Sequence, residues 1–197
     1  EKLIYGKAIK GKYDRDMPID TVSVDNIEEE PDMLKMHPSV WCKIYRRDLI
    51  MDNNLRFQPF VSGDDMAFTL EALLNAKGIV FLNNFLSYDY YIRDLPDDKS
   101  ITNSVNVRLL DELKESYIYC RKCTEGFSKN VQNVSVNPHL LHWTYTWKNG
   151  SFTKEENKLL LSKVNKLKKI HHTDVKTQWL LSSMTTAIET KIFTQKD

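Results

Sequence analysis

The pattern of hydrophobic and polar positions changes character about half-way along the chain. The first half alternates short apolar runs with polar stretches, whereas the second half spaces its apolar residues three or four positions apart. These two patterns are typical of strands and of amphipathic helices, respectively. We therefore predict an α/β part over residues 1–103, followed by an all-helical region over residues 104–197. The predicted strands are 3–5, 19–24, 40–45, 79–82 and 85–93.

The clearest helix of the α/β part is predicted to begin near residue 64. The run Ser62-Gly63-Asp64-Asp65 places an acid three positions after a hydroxyl, which is the layout of a capping box with Asp in place of Glu. In the helical region, Thr153-Lys154-Glu155-Glu156 has the same layout and predicts the start of another helix. A last helical stretch is predicted for residues 174–193.

Composition narrows the classes of partner and compartment. The chain has 197 residues, with 28 Lys and Arg against 27 Asp and Glu, so its formal charge is +1. This balance argues against nucleic acid as a partner, because nucleic-acid binding usually needs a basic face. No apolar run approaches the ~20 residues of a transmembrane helix. Three cysteines make no disulfide framework in a chain of this length, which favours a reducing cytoplasm.

Three segments within residues 37–102 carry a family resemblance. The first is the run 37–49, which contains Trp41-x-Lys43-x-Tyr45-Arg46-Arg47. The second combines Leu55-Arg56-Phe57 with the run 63–68. The third is Tyr88-x-Tyr90-Tyr91-Ile92-Arg93, followed by Ser100-Ile101-Thr102. In this order and spacing they resemble the acceptor-side, C-terminal half of a GT-A glycosyltransferase of family two.

The resemblance implies a fold, a reaction and a set of partners. The fold would be a partial GT-A-like mixed sheet with helices. The parent enzyme would transfer a sugar from a nucleotide-sugar donor, with a UDP-sugar favoured, onto a hydroxyl of a glycan or a lipid-linked acceptor, with inversion. We expect this activity in cell-surface polysaccharide synthesis, in the cytoplasm and at the inner face of the membrane. Because the chain opens inside a predicted strand and without Met, we expect it to be a piece of that longer enzyme.

By the same resemblance, Asp65 is the catalytic base and Asp64 assists it. An inverting transfer needs one carboxylate to take the proton of the attacking hydroxyl, and a helix N-terminus favours the anionic form of that carboxylate. Trp41, Lys43 and Arg93 are implied substrate-binding residues, Arg93 toward the donor diphosphate. Plain explanations stay open for each. The two acids would complement the helix dipole, Trp41 and Lys43 would be a core aromatic and a lysine reaching solvent, and Arg93 would lie on the surface.

We identify no counterpart of the family's metal-binding motif in this sequence. The family holds a divalent metal through an Asp-x-Asp in its donor half. Asp14-Arg15-Asp16 follows Lys12-Tyr13 rather than an apolar strand, and we interpret it as a turn. A divalent metal, Mg²⁺ or Mn²⁺, is therefore expected in the full-length parent. We expect this chain to bind no metal itself and to be inactive alone.

Cys120-x-x-Cys123 with His139-x-x-His142 has nearly the spacing of a zinc site. Cys120 lies within a periodic helical stretch, and the histidine pair is one residue tighter than usual. Core cysteines with histidines on a helix face are therefore favoured over a zinc module.

Two further patterns in the helical region have a functional and a plain interpretation. The basic run Lys163, Lys166, Lys168 and Lys169 with His171-His172 would suit an anionic membrane surface, or the solvated face of a helix. Trp143, Tyr145 and Trp147 would stack on sugars, or pack in a core.

One alternative belongs to a different functional class. In it the chain is a non-catalytic module, whose helical region mediates oligomerisation or binds a partner and whose α/β part is scaffold.

Overall fold

The computed structural model describes residues 3–6, 21–36, 38–82, 105–170 and 175–195. Within these ranges a small sheet and two helices are followed by four longer helices. The strands are β1 Leu3–Gly6, β2 Thr21–Val24, β3 Lys43–Ile44 and β4 Ile79–Leu82. The helices are α1 Arg47–Asp52, α2 Asp64–Asn75, α3 Val107–Cys123, α4 Lys129–Asn149, α5 Lys154–Lys168 and α6 Val175–Thr194. Two 3₁₀ turns, Pro31–Lys35 and Val40–Cys42, complete the described elements.

The four described strands form one mixed sheet in the order β2-β4-β1-β3. Strand β1 is parallel to β4, with Ile4 opposite Val80, and antiparallel to β3, with Ile4 opposite Ile44. Strand β2 is antiparallel to β4 and places Val22 opposite Phe81. The mixed α/β architecture predicted for this part of the chain is therefore confirmed. The strand predicted for 85–93 and the domain boundary near residue 103 lie outside the described residues, so both stay predictions.

The prediction of a strand over 40–45 is largely wrong. Only Lys43–Ile44 pair in the sheet, and Val40–Cys42 form a 3₁₀ turn. The turn makes tertiary contacts with α2 instead, and both Cys42 at its end and the following Lys43 are buried. Strand propensity was overridden by burial at a tight turn.

The capping box predicted at Ser62 is also wrong. Helix α2 begins after Gly63, whose φ of +89° lies in the left-handed region, and no side chain caps the helix. Ser62 is itself buried. The second predicted capping box is confirmed. The Thr153 N–H donates to Glu156 Oε2 over 2.8 Å, and the Glu156 N–H donates to Thr153 Oγ1 over 3.2 Å.

Two hydrophobic clusters hold the described part of the chain together. The first surrounds α2, and the second lies between α3, α4, α5 and α6. Helices α3 and α4 belong to both clusters, because Cys120, Val131 and Val134 pack into the first. The helical region therefore contributes directly to the core beneath α2. Among the described helices, none is both long enough and apolar enough to cross a membrane.

Candidate active site

Asp65 lies in the first turn of α2, and the 3₁₀ turn Val40–Cys42 faces it. The backbone N–H of Val40 donates a hydrogen bond to the Asp65 carboxylate, and the charge of Lys43 acts on the same group. Asp64 is the neighbouring first residue of the helix, and both carboxylates are half-buried. The structure thus brings together three residues that the sequence singles out, namely Asp64, Asp65 and Lys43.

The pKa of Asp65 is raised above its ordinary value. Partial burial is the main cause and the charge of Asp64 adds to it, whereas the Val40 hydrogen bond and the Lys43 charge lower the pKa. A helix N-terminus by itself favours the anion of a carboxylate, as the sequence analysis predicts for Asp65. Loss of hydration and repulsion from a neighbouring carboxylate outweigh that effect here. A carboxylate with a raised pKa is the stronger base once ionised.

Lys43 does not reach solvent as the plain explanation would have it. Its side chain is 8% exposed, and Nζ donates to the Ser39 carbonyl over 2.6 Å and contacts Cys42 Sγ at 3.2 Å. Burying an ammonium group without partners costs free energy. The Ser39 carbonyl and the nearby Asp65 carboxylate offset this cost for Lys43. Trp41 is half-buried in the same 3₁₀ turn. Arg93 lies outside the described residues, as do Asp14 and Asp16.

A second set of contacts fixes the segment 38–45 against α2. The Thr69 hydroxyl donates to the Pro38 carbonyl over 2.6 Å, so Tyr45 donates its own hydroxyl to Thr69 Oγ1 over 3.3 Å. Burial raises the pKa of Tyr45 strongly, which keeps the phenol protonated. The Tyr45 ring meets the Phe68 ring edge-on, with 5.4 Å between the ring centres. Phe57 stacks on the same Phe68 ring at 4.3 Å. These contacts fix the segment that carries Val40, so that the Val40 N–H reaches the Asp65 carboxylate.

The structure adds a buried polar chain that the sequence analysis missed. The Ser116 hydroxyl of α3 donates to the Gly63 carbonyl over 2.8 Å. Its oxygen therefore accepts from His139 Nε2 of α4, 3.0 Å away, which assigns the proton of the neutral imidazole to Nε2. Burial, with a smaller effect of His142, lowers the pKa of His139 to about 3. The available signal was a serine on the apolar stripe of α3, between Leu113 and Cys120.

The zinc alternative gains no support from the geometry. Cys120 Sγ lies 3.5 Å from His139 Nε2, but Cys123 instead interacts with Tyr119 and Glu71. Within the described ranges, no three His, Cys, Asp or Glu side chains are placed to hold a metal ion.

Of the aromatic and basic residues singled out in the helical region, Trp143 and Trp147 pack in the core and Lys163 forms an ion pair, whereas Tyr145 is 40% exposed. Trp143 and Trp147 are buried, and their indole N–H groups donate to the Leu110 carbonyl and to Asn157 Oδ1, each over 3.0 Å. Core packing is therefore the correct interpretation for both tryptophans. Lys163 pairs with Asp111 of α3 at 2.6 Å, so it is drawn away from any basic surface. His171 and His172 lie outside the described residues.

Two known proteins that are similar to part of this chain are named glycosyltransferases. A cholesterol galactosyltransferase from Borreliella burgdorferi is 28% identical over 96 residues, which is 49% of this chain and 25% of that protein. A protein named uncharacterized glycosyltransferase YibD, from Escherichia coli, is 30% identical over 91 residues, or 43% of this chain and 26% of its own length. The chain thus spans about a quarter of the curated relatives it matches. No family model matches it. The chain is related to glycosyltransferases over part of its length.

Proposed function

We propose that this chain is the acceptor-side part of an inverting glycosyltransferase in which Asp65 is the general base. One observation carries the proposal. In a chain related to glycosyltransferases, a half-buried carboxylate with a raised pKa lies at a helix N-terminus, bound by the Val40 N–H and close to the buried charge of Lys43. Groups with perturbed pKa values and defined partners are concentrated at functional sites.

The proposed step uses Asp65 to remove one proton. The acceptor hydroxyl oxygen attacks the anomeric carbon of the donor sugar, and its proton passes to the Asp65 carboxylate. The bond between that carbon and the nucleotide diphosphate breaks on the opposite face, and its electron pair leaves with the diphosphate. The raised pKa makes Asp65 the better proton acceptor, while Lys43 and Val40 favour its ionised form. Asp64 assists by its charge, which contributes to that raised pKa.

The finer assignments are part of the same proposal. The fold would be the acceptor-side half of a GT-A domain of family two, with Trp41 and Arg93 as further substrate-binding residues. The galactosyl transfer named for the Borreliella relative makes a UDP-hexose the first donor to test, with a glycan or lipid-linked acceptor. We assign the donor site and any divalent metal to the remainder of the full-length protein. We place the enzyme in the cytoplasm, at the inner face of the membrane, in cell-surface polysaccharide synthesis.

The test compares Asp65→Asn with Asp52→Asn in the full-length protein that contains this chain. Asp52 is exposed at the end of α1, so it controls for the loss of one surface charge. Transfer is measured from radiolabelled UDP-glucose, UDP-galactose, UDP-N-acetylglucosamine and UDP-N-acetylgalactosamine to a glycolipid extract of the native cell. We expect Asp65→Asn to lower kcat by about 100-fold or more, and Asp52→Asn to leave it unchanged.

The stability of the Asp65→Asn variant distinguishes a base from a structural acid. Folding disfavours the anion of a carboxylate whose pKa is raised. At pH 7 the free energy of unfolding of Asp65→Asn, which carries a neutral amide, should therefore equal or exceed that of the wild-type protein. A less stable variant with normal turnover would contradict the proposal. That result would support the non-catalytic module, in which the acids only complement the helix.

A further inference from the structure

We propose that Ser116 of α3 is a positioning residue for Asp65, acting through the backbone of Gly63. This inference rests on the proposed function, since it assigns to the helical region a part in aiming the base. The Ser116 hydroxyl touches neither carboxylate. It binds the carbonyl of the residue from which α2 begins, two positions before Asp65.

The Gly63 carbonyl takes part both in the hydrogen bonding of α2 itself and in a contact between α2 and α3. It accepts the first hydrogen bond of α2, from the Ala67 N–H over 3.0 Å, and the hydroxyl of Ser116 over 2.8 Å. Both bonds fix the plane of the peptide group that joins Gly63 to Asp64. Because no side chain caps α2, the direction of its first turn depends on this carbonyl. The direction of that turn also sets where the Asp65 carboxylate points.

Ser116 is held by partners on several sides, since its hydroxyl also interacts with the Cys120 thiol. It is fully buried, and the Nε2–H of His139 occupies its acceptor side. His139 is also buried, so its imidazole stays neutral and keeps that donor at ordinary pH. The titratable and polar groups around this imidazole include Ser116, Tyr117 and Cys120 from α3 and His142 from its own helix. Because the Gly63 carbonyl oxygen can only accept, the Ser116 hydroxyl donates its proton to it.

The start of α2 and the Ser116 side chain of α3 lie very close together at this point. A Cβ added to Gly63 would lie 2.7 Å from both Cβ and Oγ of Ser116, which is closer than real side chains approach. A second bond, from the Tyr119 hydroxyl to Glu71 Oε1 over 2.8 Å, ties the same two helices further along. A close contact with a directed hydrogen bond can hold a catalytic group to within a fraction of an ångström. Errors of about 1 Å in such placement cost about 100-fold in rate.

The experiment is Ser116→Ala in the full-length protein, with Ser135→Ala as the matched control. Ser135 is also a buried serine, but its hydroxyl donates to the Gln132 carbonyl of its own helix over 3.0 Å rather than to α2. We expect Ser116→Ala to lower kcat about tenfold with the donor KM unchanged, because the base is misplaced and the donor site is not. Ser135→Ala should leave both constants near the wild-type values.

A second readout separates positioning from a general loss of structure. If the first turn of α2 shifts, the Val40 hydrogen bond to Asp65 weakens, and the pKa of Asp65 rises further. The acidic limb of the pH–rate profile should then move to higher pH in Ser116→Ala and not in Ser135→Ala. Equal effects of the two substitutions, or a fall in activity matched by an equal fall in the folded fraction, would overturn the inference.

Failure of the proposed function gives a different result. If Asp65→Asn keeps full activity, Asp65 is not the base, and the rates no longer report on Ser116. Titration of the ¹³C-labelled Asp65 carboxyl in the full-length protein then decides the remaining question. A pKa that rises in Ser116→Ala alone would show that Ser116 controls this carboxylate, and an unchanged pKa would refute it.

Discussion

Helix α2 and the helices of the C-terminal region begin in different ways. Helices α3, α4 and α5 each start with a side chain that accepts a hydrogen bond from a backbone N–H one turn on, namely Asn106, Ser128 and Thr153. Helix α2 starts from a left-handed glycine without such a cap, and two acids follow it. Its support comes instead from Ser116, 53 residues away along the chain.

The two kinds of helix start contribute differently to the stability of a helix and to its position. A side-chain cap satisfies a helix end by itself, wherever the helix lies. A start held by tertiary contacts is less independent, but it fixes the helix end relative to its neighbours. In α2 that arrangement leaves the first turn free of a capping side chain, so Asp64 and Asp65 are available for other roles. Functional sites commonly depart from local rules in this way.

The largest effect that would test this comparison is expected from Gly63→Ala. A left-handed φ is costly for alanine, and the new Cβ would overlap Ser116. We expect a loss of about 3 kcal/mol in the free energy of unfolding, measured by urea denaturation. By contrast, Gly126→Ala should cost far less, because a Cβ there meets nothing within 4 Å and Gly126 has an ordinary φ.

The double variant Gly63→Ala with Ser116→Gly sharpens the same test. The overlap needs both side chains, so the combined loss should be smaller than the sum of the two single losses. The strain of the left-handed backbone would remain in the double variant. Strictly additive losses would mean that α3 does not press on the start of α2.

An intermediate effect is expected from pH, through His139. Its pKa of about 3 in the folded state lies below the ordinary 6.5, so the unfolded chain binds the proton first as the pH falls. The stabilisation is complete above about pH 6.5 and is lost progressively below it, by about 2 kcal/mol at pH 5. His139→Gln should reduce the difference in unfolding free energy between pH 7.5 and pH 5 by this amount. If both proteins show the same pH dependence, His139 is not a buried neutral group.

The smallest effect is expected at the start of α5, where a side-chain cap satisfies the helix end. Thr153→Ala removes the cap of α5 and should lower the free energy of unfolding by about 1 kcal/mol, with no effect on turnover. Lys154→Ala, one position on and outside the capping box, serves as the control. A change in kcat for Thr153→Ala would show that this end of the helical region also supports the site, which would blur the distinction between the two parts.

The sequence predicted the long helices well, and the start of α2 and the segment 40–45 poorly. The long helices followed from periodicity, because Leu109, Leu113, Tyr117 and Cys120 all turn toward the core. Ser62 was misread as a cap, since the pattern of a hydroxyl and an acid does not reveal that Gly63 adopts a left-handed conformation. The turn at Val40–Cys42 was misread as a strand because its side chains are β-type. In each case a long-range contact outweighed a local preference.

What the sequence determined by itself is the class of elements, their order and a set of candidate site residues. Asp64, Asp65, Trp41 and Lys43 were identified from a family resemblance and from the expected start of a helix. Only the tertiary structure decided that Lys43 is buried, that the Val40 N–H binds Asp65, and that Ser116 and His139 support Gly63. The physical reason is distance. Periodicity and capping act over a few residues, whereas burial, pKa values and the aim of a carboxylate depend on groups brought together from distant parts of the chain.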